Sequence, residues 1–140
     1  MIAALFALAI ALTGAPSQPV DTTGLWKTPV DGGVVRIERC GADVCGRAVS
    51  SARLRAFPDQ KDARNRDPAM RGRTIKGLLI LKLHPLGPGR WGGGSIYNPD
   101  DGKTYKADLE VVDHGRLRLR GCIVAPLCRT QTWTRDITPR

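Results

Sequence analysis

Residues 104–112 read Thr-Tyr-Lys-Ala-Asp-Leu-Glu-Val-Val, and their apolar and polar side chains alternate with a period of two. Successive side chains of a β-strand point to opposite faces of the sheet, so this pattern predicts a strand with one buried face and one solvated face. Residues 98–102, Asn-Pro-Asp-Asp-Gly, precede it and are typical of a tight turn. The predicted buried face comprises Tyr105, Ala107, Leu109 and Val111, and the solvated face comprises Lys106, Asp108 and Glu110.

Seven further strands are predicted on either side of this segment, and turns of a few residues join most of them. Short connections force neighbouring strands to run antiparallel, because a parallel crossover needs about a dozen residues or more. Eight antiparallel strands in sequence order close most simply into an up-and-down β-barrel, which leaves no open edge; a β-sandwich is the alternative. Glycines 92–94 allow one strand to bend sharply where the barrel closes. The predicted strands are residues 23–28, 34–40, 44–50, 78–83, 91–97, 104–112, 117–122 and 128–135.

The first twelve residues, MIAALFALAIAL, form an uncharged apolar run that differs from the rest of the chain. A membrane span needs about 20 apolar residues, so this shorter run favours a secretory leader. The small residues that follow suit a signal peptidase, and we expect a leader over residues 1–17 with cleavage ahead of Gln18. An uncleaved anchor and a buried helix are the alternatives. With the leader removed, we expect residues 18–140 to form one domain that does not span a membrane and that is periplasmic or secreted.

The chain carries a net charge of +9, and all of its charged residues follow the predicted leader. An exported protein meets little nucleic acid, so nucleic acid is not an expected partner. Anionic lipid head groups or acidic glycans are better candidates. Solubility alone is an equally good explanation of the charge.

Residues 51–76 interrupt the regular spacing of the strands and contain two prolines and many basic side chains. A loop of this length in a compact domain is usually either functional or disordered. It could form a lid over one mouth of the barrel, with a short helical turn near residues 68–70. A mobile, solvated loop is the alternative.

Four cysteines form two closely spaced pairs, each around a hairpin-like turn. Local pairing of Cys40 with Cys45 and of Cys122 with Cys128 costs the least chain entropy among the three connectivities that four cysteines allow. Disulfides that close loops this short would stabilise the domain by about 2 kcal/mol each. A four-thiolate zinc site is the competitor, but zinc knuckles favour shorter spacings and an oxidising compartment favours disulfides.

Motifs that would support catalysis are missing from the sequence. His84 and His114 lie near turns, and Ser95 follows Gly94 without the second glycine of a nucleophile elbow. Neither a phosphate-binding loop nor a His-Glu-x-x-His zinc motif occurs. The sequence therefore predicts a protein that is not an enzyme and that has no cofactor.

Two clusters of oxygen-bearing side chains are candidates for calcium sites, since calcium binds carboxylate and amide oxygens. Asp62, Asn65 and Asp67 lie among arginines, which oppose cation binding, and lack the spacing of a calcium loop. Asp100 and Asp101 are more simply turn residues. No metal site is predicted.

An arginine row, Arg116, Arg118 and Arg120, lies on one face of a predicted strand, opposite Leu117 and Leu119. If that face points outward, the row is a basic stripe that can meet phosphate or carboxylate groups. If it points inward, the row lines a polar cavity for an anionic ligand. The outward orientation is the default, because guanidinium groups are seldom buried.

Gly24-x-Trp26 on the first strand resembles the Gly-x-Trp signature that opens lipocalins. In that family the tryptophan closes one end of the barrel and stacks on an arginine near the last strand. Arg135 is the residue that would match this arginine, and Arg129 is the second candidate. Such stacking adds a cation–π contact of about 0.5–2 kcal/mol.

Several segments between residues 24 and 135 occur together in one order: Gly24-Leu25-Trp26; Ile37-Glu38-Arg39-Cys40 to Cys45-Gly46-Arg47; Arg64-Asn65-Arg66-Asp67-Pro68 to Arg71-Gly72-Arg73; Trp91 to Pro99; Gly102-Lys103-Thr104-Tyr105; Leu119-Arg120-Gly121; and Cys128 to Arg135. In combination they resemble the bacterial family known as domain of unknown function 2147. Residues 65–68, Asn-Arg-Asp-Pro, depart from the Asn-Pro-Asp-Pro that relatives tend to show. The resemblance implies an exported, lipocalin-like fold and brings no established activity.

Two functions are compatible with these observations. The first is a periplasmic binding barrel that takes a small apolar or amphiphilic ligand, such as a lipid, at a mouth beneath residues 51–76. The second is an interaction module whose basic face docks on an acidic partner or on an anionic envelope surface. An interior cavity would favour the first, and a fully packed barrel would exclude it. Binding that collapses between low and high salt would favour the second. Candidate ligand-binding residues are Trp91, Tyr97, Asn98, Tyr105, Arg71, Arg73 and Arg120.

Overall fold

This computed structural model describes residues 10–12, 14, 21–124 and 126–138. The predicted leader over residues 1–17 therefore falls mostly outside the described residues, and so does its cleavage site at Gln18. The described part of the predicted domain begins at Asp21.

Eight strands pair in chain order and close into a barrel, because β1 pairs with both β2 and β8. Each of these pairs is antiparallel, as the short connections require. The up-and-down β-barrel is confirmed, and the sandwich alternative is excluded. The strands are β1 (Gly24–Lys27), β2 (Val34–Cys40), β3 (Asp43–Ser50), β4 (Leu79–Gly87), β5 (Arg90–Asn98), β6 (Lys103–Asp113), β7 (Arg116–Val124) and β8 (Leu127–Arg135).

The connections between strands alternate between the two ends of the barrel, because each strand reverses the direction of the one before it. The tight turns after β2, β4 and β6 lie at what we call the lower end, together with the start of β1 and the end of β8. The connections after β1, β3, β5 and β7 lie at the upper end. The long segment of residues 51–76 follows β3 and therefore belongs to the upper end.

The alternation of residues 104–112 produces the predicted burial in β6. Ala107 and Leu109 are buried, whereas Lys106 and Asp108 are exposed. Full burial of a leucine side chain stabilises a domain by about 1.5–3 kcal/mol, and this face contributes Ala107 and Leu109 to the core. The core comprises Trp26, Val35, Ile37, Val44, Leu81, Leu83, Trp91, Ala107, Leu109, Leu117, Leu119 and Trp133.

The glycines at 92–94 bend β5, as the sequence predicts. A β-bulge interrupts the pairing of β5 with β6 between Trp91 and Gly94, and Gly93 adopts a positive φ of 63°. Gly94 also lies against β4, where an added Cβ would be 1.9 Å from the carbonyl oxygen of Lys82. Glycine is therefore required at 94 for the two strands to approach each other.

The lower end of the barrel is closed by Trp26 and Arg135, the pair that the lipocalin resemblance implies. Trp26 is fully buried, and the Arg135 guanidinium lies 4.3 Å from the centre of its ring. The same guanidinium donates to the carbonyl oxygens of Thr23 (3.0 Å), Asp21 (2.9 Å) and His114 (2.9 Å). Arg129, the second candidate for stacking on Trp26, lies near the upper end of β8.

Both local disulfides are formed, Cys40–Cys45 and Cys122–Cys128, and no free cysteine remains. The first ties β2 to β3 at the lower end, and the second ties β7 to β8 at the upper end. The zinc alternative is excluded, because all four sulfur atoms are in disulfide bonds.

Residues 51–76, which we call the lid, form an ordered structure and not a solvated loop. A short helix, α1 (Ala52–Ala56), opens the lid, and a 3₁₀ turn follows at Pro68–Met70, where the sequence predicts one. Lys61 and Thr74 form an isolated β-bridge between the two limbs of the lid.

Replacement of Arg135 by lysine should lower the free energy of unfolding by about 2 kcal/mol, because lysine loses the planar stacking on Trp26 and part of the forked set of hydrogen bonds. Urea denaturation of the oxidised protein measures this change. Arg118→Lys, on the outer face of β7, is the matched control and should change stability little. Equal losses in the two variants would contradict the assigned role of Arg135.

Candidate ligand-binding cavity

A cavity of about 810 Å³ occupies the upper half of the barrel. Its deep wall is apolar and is built from inward-facing side chains of five strands. Polar and charged side chains from the connections at the upper end surround its mouth. The apolar wall comprises Val35, Ile80, Ile96, Leu119 and Trp133.

Small inward-facing residues explain why the cavity lies in the upper half. Near the lower end, tryptophan and leucine side chains meet across the barrel and fill it. In the upper half, Ala48 and Gly121 occupy inward-facing positions of β3 and β7. A Cβ added at Gly121 would meet only Tyr105 and Ile96 at ordinary contact distances of 3.7 and 3.8 Å. These two positions leave the space that larger side chains fill below.

The lid supplies the ceiling of the cavity through two buried apolar side chains, Leu54 and Ile75. The Ser51 hydroxyl caps α1 by accepting from the amide of Leu54 at 3.0 Å. Asp31, in the connection after β1, accepts from the amides of Ala52 and Arg53 through its carbonyl and carboxylate oxygens at 2.9 and 3.1 Å. The start of the lid is therefore fixed to the neighbouring connection.

A fully buried carboxylate, Asp62, fixes the middle of the lid to the barrel wall. It accepts hydrogen bonds from the Tyr97 hydroxyl, from Asn65 Nδ2 (2.9 Å) and from Arg73 Nε (3.0 Å). Tyr97 lies near the upper end of β5, so its hydrogen bond joins the lid to the wall of the barrel. Hydrogen bonds to a buried charge are stronger than those between neutral groups, and this cluster satisfies both carboxylate oxygens.

The hydrogen bonds around Asp62 keep it ionised and keep Tyr97 protonated. Burial raises the pKa of Asp62, but the hydrogen bonds from Tyr97, Asn65 and Arg73 outweigh burial, so its pKa is lowered. Burial raises the pKa of Tyr97 to about 12, and its hydrogen bond to the Asp62 carboxylate raises it in the same direction. The pair acts as a structural clasp, since neither group titrates near neutral pH.

A second contact joins the lid to the turn after β5. The Arg53 guanidinium lies 4.0 Å from the Asp100 carboxylate, and Arg64 donates to the Asp100 carbonyl oxygen. Gly102, with a positive φ of 69°, packs so closely that an added Cβ would be 1.8 Å from the carbonyl oxygen of Arg64. This turn therefore supports the lid from the side opposite Asp31.

Polar groups at the mouth include Tyr105, whose hydroxyl donates to the Asp101 carboxylate. That hydrogen bond is the main reason why the pKa of Tyr105 is raised. Gln131 and Arg129 face the cavity from β8, since they alternate with the buried Trp133 along the strand. The cavity thus combines an apolar floor with a mouth of mixed charge, where Asp31, Asp100 and Asp101 lie with Arg53 and Arg129.

The family model described as "Uncharacterized protein conserved in bacteria (DUF2147)" matches residues 24–135. The chain belongs to the DUF2147 family. A search of the curated proteins finds no match. Among solved structures, protein HP1028 from the human pathogen Helicobacter pylori, described as belonging to the lipocalin family, is similar with 24% sequence identity and a TM-score of 0.75. The alignment covers 84% of each chain and shows that the two share a fold.

In this DUF2147 chain, four of the predicted ligand-binding residues lie around the upper mouth. Tyr97, Asn98 and Tyr105 line the cavity. Arg73 lines an adjoining recess, and its guanidinium lies 5.5 Å from the centre of the Tyr97 ring besides bonding to Asp62.

The other three predicted ligand-binding residues lie away from the cavity. Trp91 is buried at the lower end, beneath Arg39 at 5.1 Å, because β5 starts at that end. Arg71 is exposed and donates to the Asn65 carbonyl oxygen at 2.8 Å. Arg120 is exposed on the outer face of β7, because it alternates with the buried Leu119. These placements correct the expectation that the three contact a ligand in the cavity.

The whole arginine row of β7 points outward, which was the default orientation. Arg116 forms an ion pair with Asp113 at 2.6 Å, and Arg118 lies 3.5 Å from Glu110. The negative charges of β6 therefore offset part of this basic stripe.

Sequence reasoning missed the roles of Asp62, Leu54 and Ile75 and the inward orientation of Arg129. Asp62 was considered only as a weak calcium ligand, and the partners that define its role lie as far away as 35 residues in sequence. Arg129 could have been found, since it lies four positions before Trp133 and so shares its face.

Two absences hold for the part of the chain that the structure describes. No helix there has the length and hydropathy needed to cross a membrane. Among the same residues, histidine, cysteine and carboxylate side chains form no group of three that could hold a metal ion.

Replacement of Asp62 by asparagine should lower the free energy of unfolding by about 2 kcal/mol, because Arg73 loses its charged partner and the new amide places a donor among donors. The difference in the free energy of unfolding between the two proteins should have its full size above pH about 4 and should shrink as the pH falls further. The reason is that a carboxylate with a lowered pKa stabilises the folded state only while it is ionised. Urea denaturation across this pH range measures it. Asp59→Asn makes the same charge change at an exposed lid position and should have little effect; an equal loss there would contradict the clasp.

The two tyrosines of the chain should resist deprotonation in the folded protein, because both donate hydrogen bonds to carboxylates. Tyr97 should titrate near pH 12, and the stability it contributes should be present below pH about 10 and lost as the pH rises toward 12. Ultraviolet absorption of the phenolate measures this titration, with the urea-unfolded protein as reference. A folded protein in which both phenols titrate as in urea would contradict these hydrogen bonds.

Proposed function

We propose that this protein is a non-enzymatic periplasmic binding barrel that carries a small apolar or amphiphilic ligand in its interior. The observation that carries the proposal is the cavity of about 810 Å³ beneath the lid. Pockets for small molecules commonly have volumes of about 300–1,000 Å³ and are mostly apolar with a few placed polar groups.

The composition of the cavity wall supports an apolar body for the ligand. Ile80, Ile96 and Leu119 present hydrocarbon surface without a polar partner to satisfy. Each square ångström of apolar ligand surface removed from water contributes about 25 cal/mol. The floor of the cavity therefore favours a chain or ring system and disfavours a sugar.

The mouth supports a polar head on the same ligand. Tyr105 and Asn98 lie where an extended ligand would leave the barrel. Polar groups at the rim and apolar groups at the floor suit an amphiphile whose tail is buried and whose head remains solvated.

Export to the periplasm is supported by the two disulfides, because such bonds persist in oxidising compartments. Their positions at opposite ends of the barrel add covalent ties to the β2–β3 and β7–β8 hairpins. A carrier in the periplasm would shield an amphiphile from water between membranes.

The alternative, docking of a basic outer face on an anionic surface, has less support. Of the outer arginines, Arg116 and Arg118 have carboxylate partners on the same face. Exposed ion pairs of this kind leave less free charge for a partner.

Replacement of Gly121 by leucine should fill the cavity and weaken binding of an uncharged environment-sensitive dye, N-phenylnaphthylamine, by at least about tenfold. Gly121 faces the cavity and its surroundings admit a Cβ at ordinary contact distances, so the variant should fold. Fluorescence titration measures the dye affinity, and thermal unfolding confirms the fold.

Arg120→Leu is the matched control, because it places the same side chain one residue away on the outer face. It should bind the dye like the unchanged protein. Equal dye affinity in all three proteins, or no dye binding by the unchanged protein, would contradict binding inside the barrel.

A further inference from the structure

The geometry points to an anion subsite at the mouth of the barrel, formed by Arg129 and Arg66 beside Tyr105, which selects amphiphiles with one carboxylate or phosphate head group. This inference rests on the proposed function and names the class of ligand that the cavity takes. It uses residues that no part of the clasp or of the barrel closure requires.

Arg129 faces the interior because of its register on β8. Along that strand Trp133 lies opposite Leu117, Gln131 opposite Leu119 and Arg129 opposite Gly121. Glycine at 121 leaves room beside the guanidinium on the cavity wall. Arg129 is exposed and lines the cavity two positions nearer the upper end than Gln131.

Arg66 approaches the same place from the lid. It lines a recess of about 550 Å³ that adjoins the cavity. Tyr105 lines both the recess and the cavity, so the two spaces meet at its side chain. Both guanidinium groups act on the Tyr105 hydroxyl, since each lowers its pKa against the larger opposing effect of Asp101.

Neither arginine is neutralised by an ion pair within the described residues. Two other arginines of the upper end are paired: Arg53 lies 4.0 Å from Asp100, and Arg73 lies 3.0 Å from Asp62. Two carboxylates lie at this site. Asp101 accepts from Tyr105 and from the amide of Lys103, and Asp67, in the recess, accepts from the amide of Ala69. Arg66, Arg129 and Lys103 outnumber these two carboxylates by one, so the site keeps a net positive charge for a ligand.

Arginine suits the proposed head group. Its planar fork of donors matches the oxygen atoms of a carboxylate or a phosphate, and hydrogen bonds between charged groups are about twice as strong as neutral ones. The same site offers little to an uncharged alcohol and repels an ammonium group. Selection should therefore depend on the charge of the head and not on the tail.

Competition against the bound uncharged dye tests this selection, with four ligands that share one twelve-carbon chain: dodecanoate, dodecyl phosphate, dodecanol and dodecylammonium, each below its micelle concentration. The unchanged protein should bind at least one of the two anions about tenfold more tightly than dodecanol, and dodecylammonium most weakly. The two anions are separate arms, so their order identifies the head group.

The double variant Arg66→Gln/Arg129→Gln should lose the preference for the anions and keep its affinity for dodecanol and for the dye. Arg71→Gln/Arg120→Gln is the matched control, since it removes the same charge from one exposed lid arginine and one outer-face arginine. It should keep the preference. Unchanged selectivity in the double variant, or equal binding of anions and alcohol by the unchanged protein, would overturn the subsite.

Two further results separate this inference from the proposed function. Binding of dodecanol and the dye without charge selection would leave the binding barrel intact and overturn the anion subsite alone. Binding of none of the four ligands would overturn both. If acetate or inorganic phosphate competed as strongly as the long-chain anions, the inference that the ligand is an amphiphile would be overturned. The site would then be one for free anions.

Discussion

Closure of the barrel depends on the short contact between β1 and β8, where Trp26 lies opposite Arg135. β1 has four residues and pairs with β8 at two positions, so backbone hydrogen bonds alone hold this seam weakly. The Arg135 guanidinium covers the Trp26 ring and fixes the chain ahead of β1 through carbonyl oxygens. Because large aromatic side chains fill the sealed lower end, the free volume of the barrel is confined to the upper half.

A polar interaction and not apolar packing holds the ceiling over that volume. Leu54 and Ile75 contribute apolar surface from the lid, but the buried carboxylate of Asp62 determines where the lid lies. A lid fixed by hydrogen bonds at its edge does not need to fill the barrel to be stable. This arrangement permits a lasting cavity in a chain with a small core.

Much of the fold could be predicted from the sequence, because a period of two reports directly which side chains face inward. The same rule places Arg120 outside and Arg129 inside, so the misplaced Arg120 reflects an incomplete use of the alternation. Trp91 was misplaced for a different reason: it is the second residue of β5, and the start of that strand lies at the opposite end of the barrel from Tyr97. The Asp62 clasp could not be predicted, since its partners are brought together only by the folded lid.

The central claim is that the interior of the upper barrel, and not the outer surface, is the binding site. Native mass spectrometry tests it most directly, on oxidised protein mixed with a bacterial lipid extract and then freed of excess lipid. We expect one small molecule per chain on the unchanged protein, released on denaturation, and none on the Gly121→Leu variant. An unchanged protein without any bound molecule, or equal occupancy of the two proteins, would contradict it.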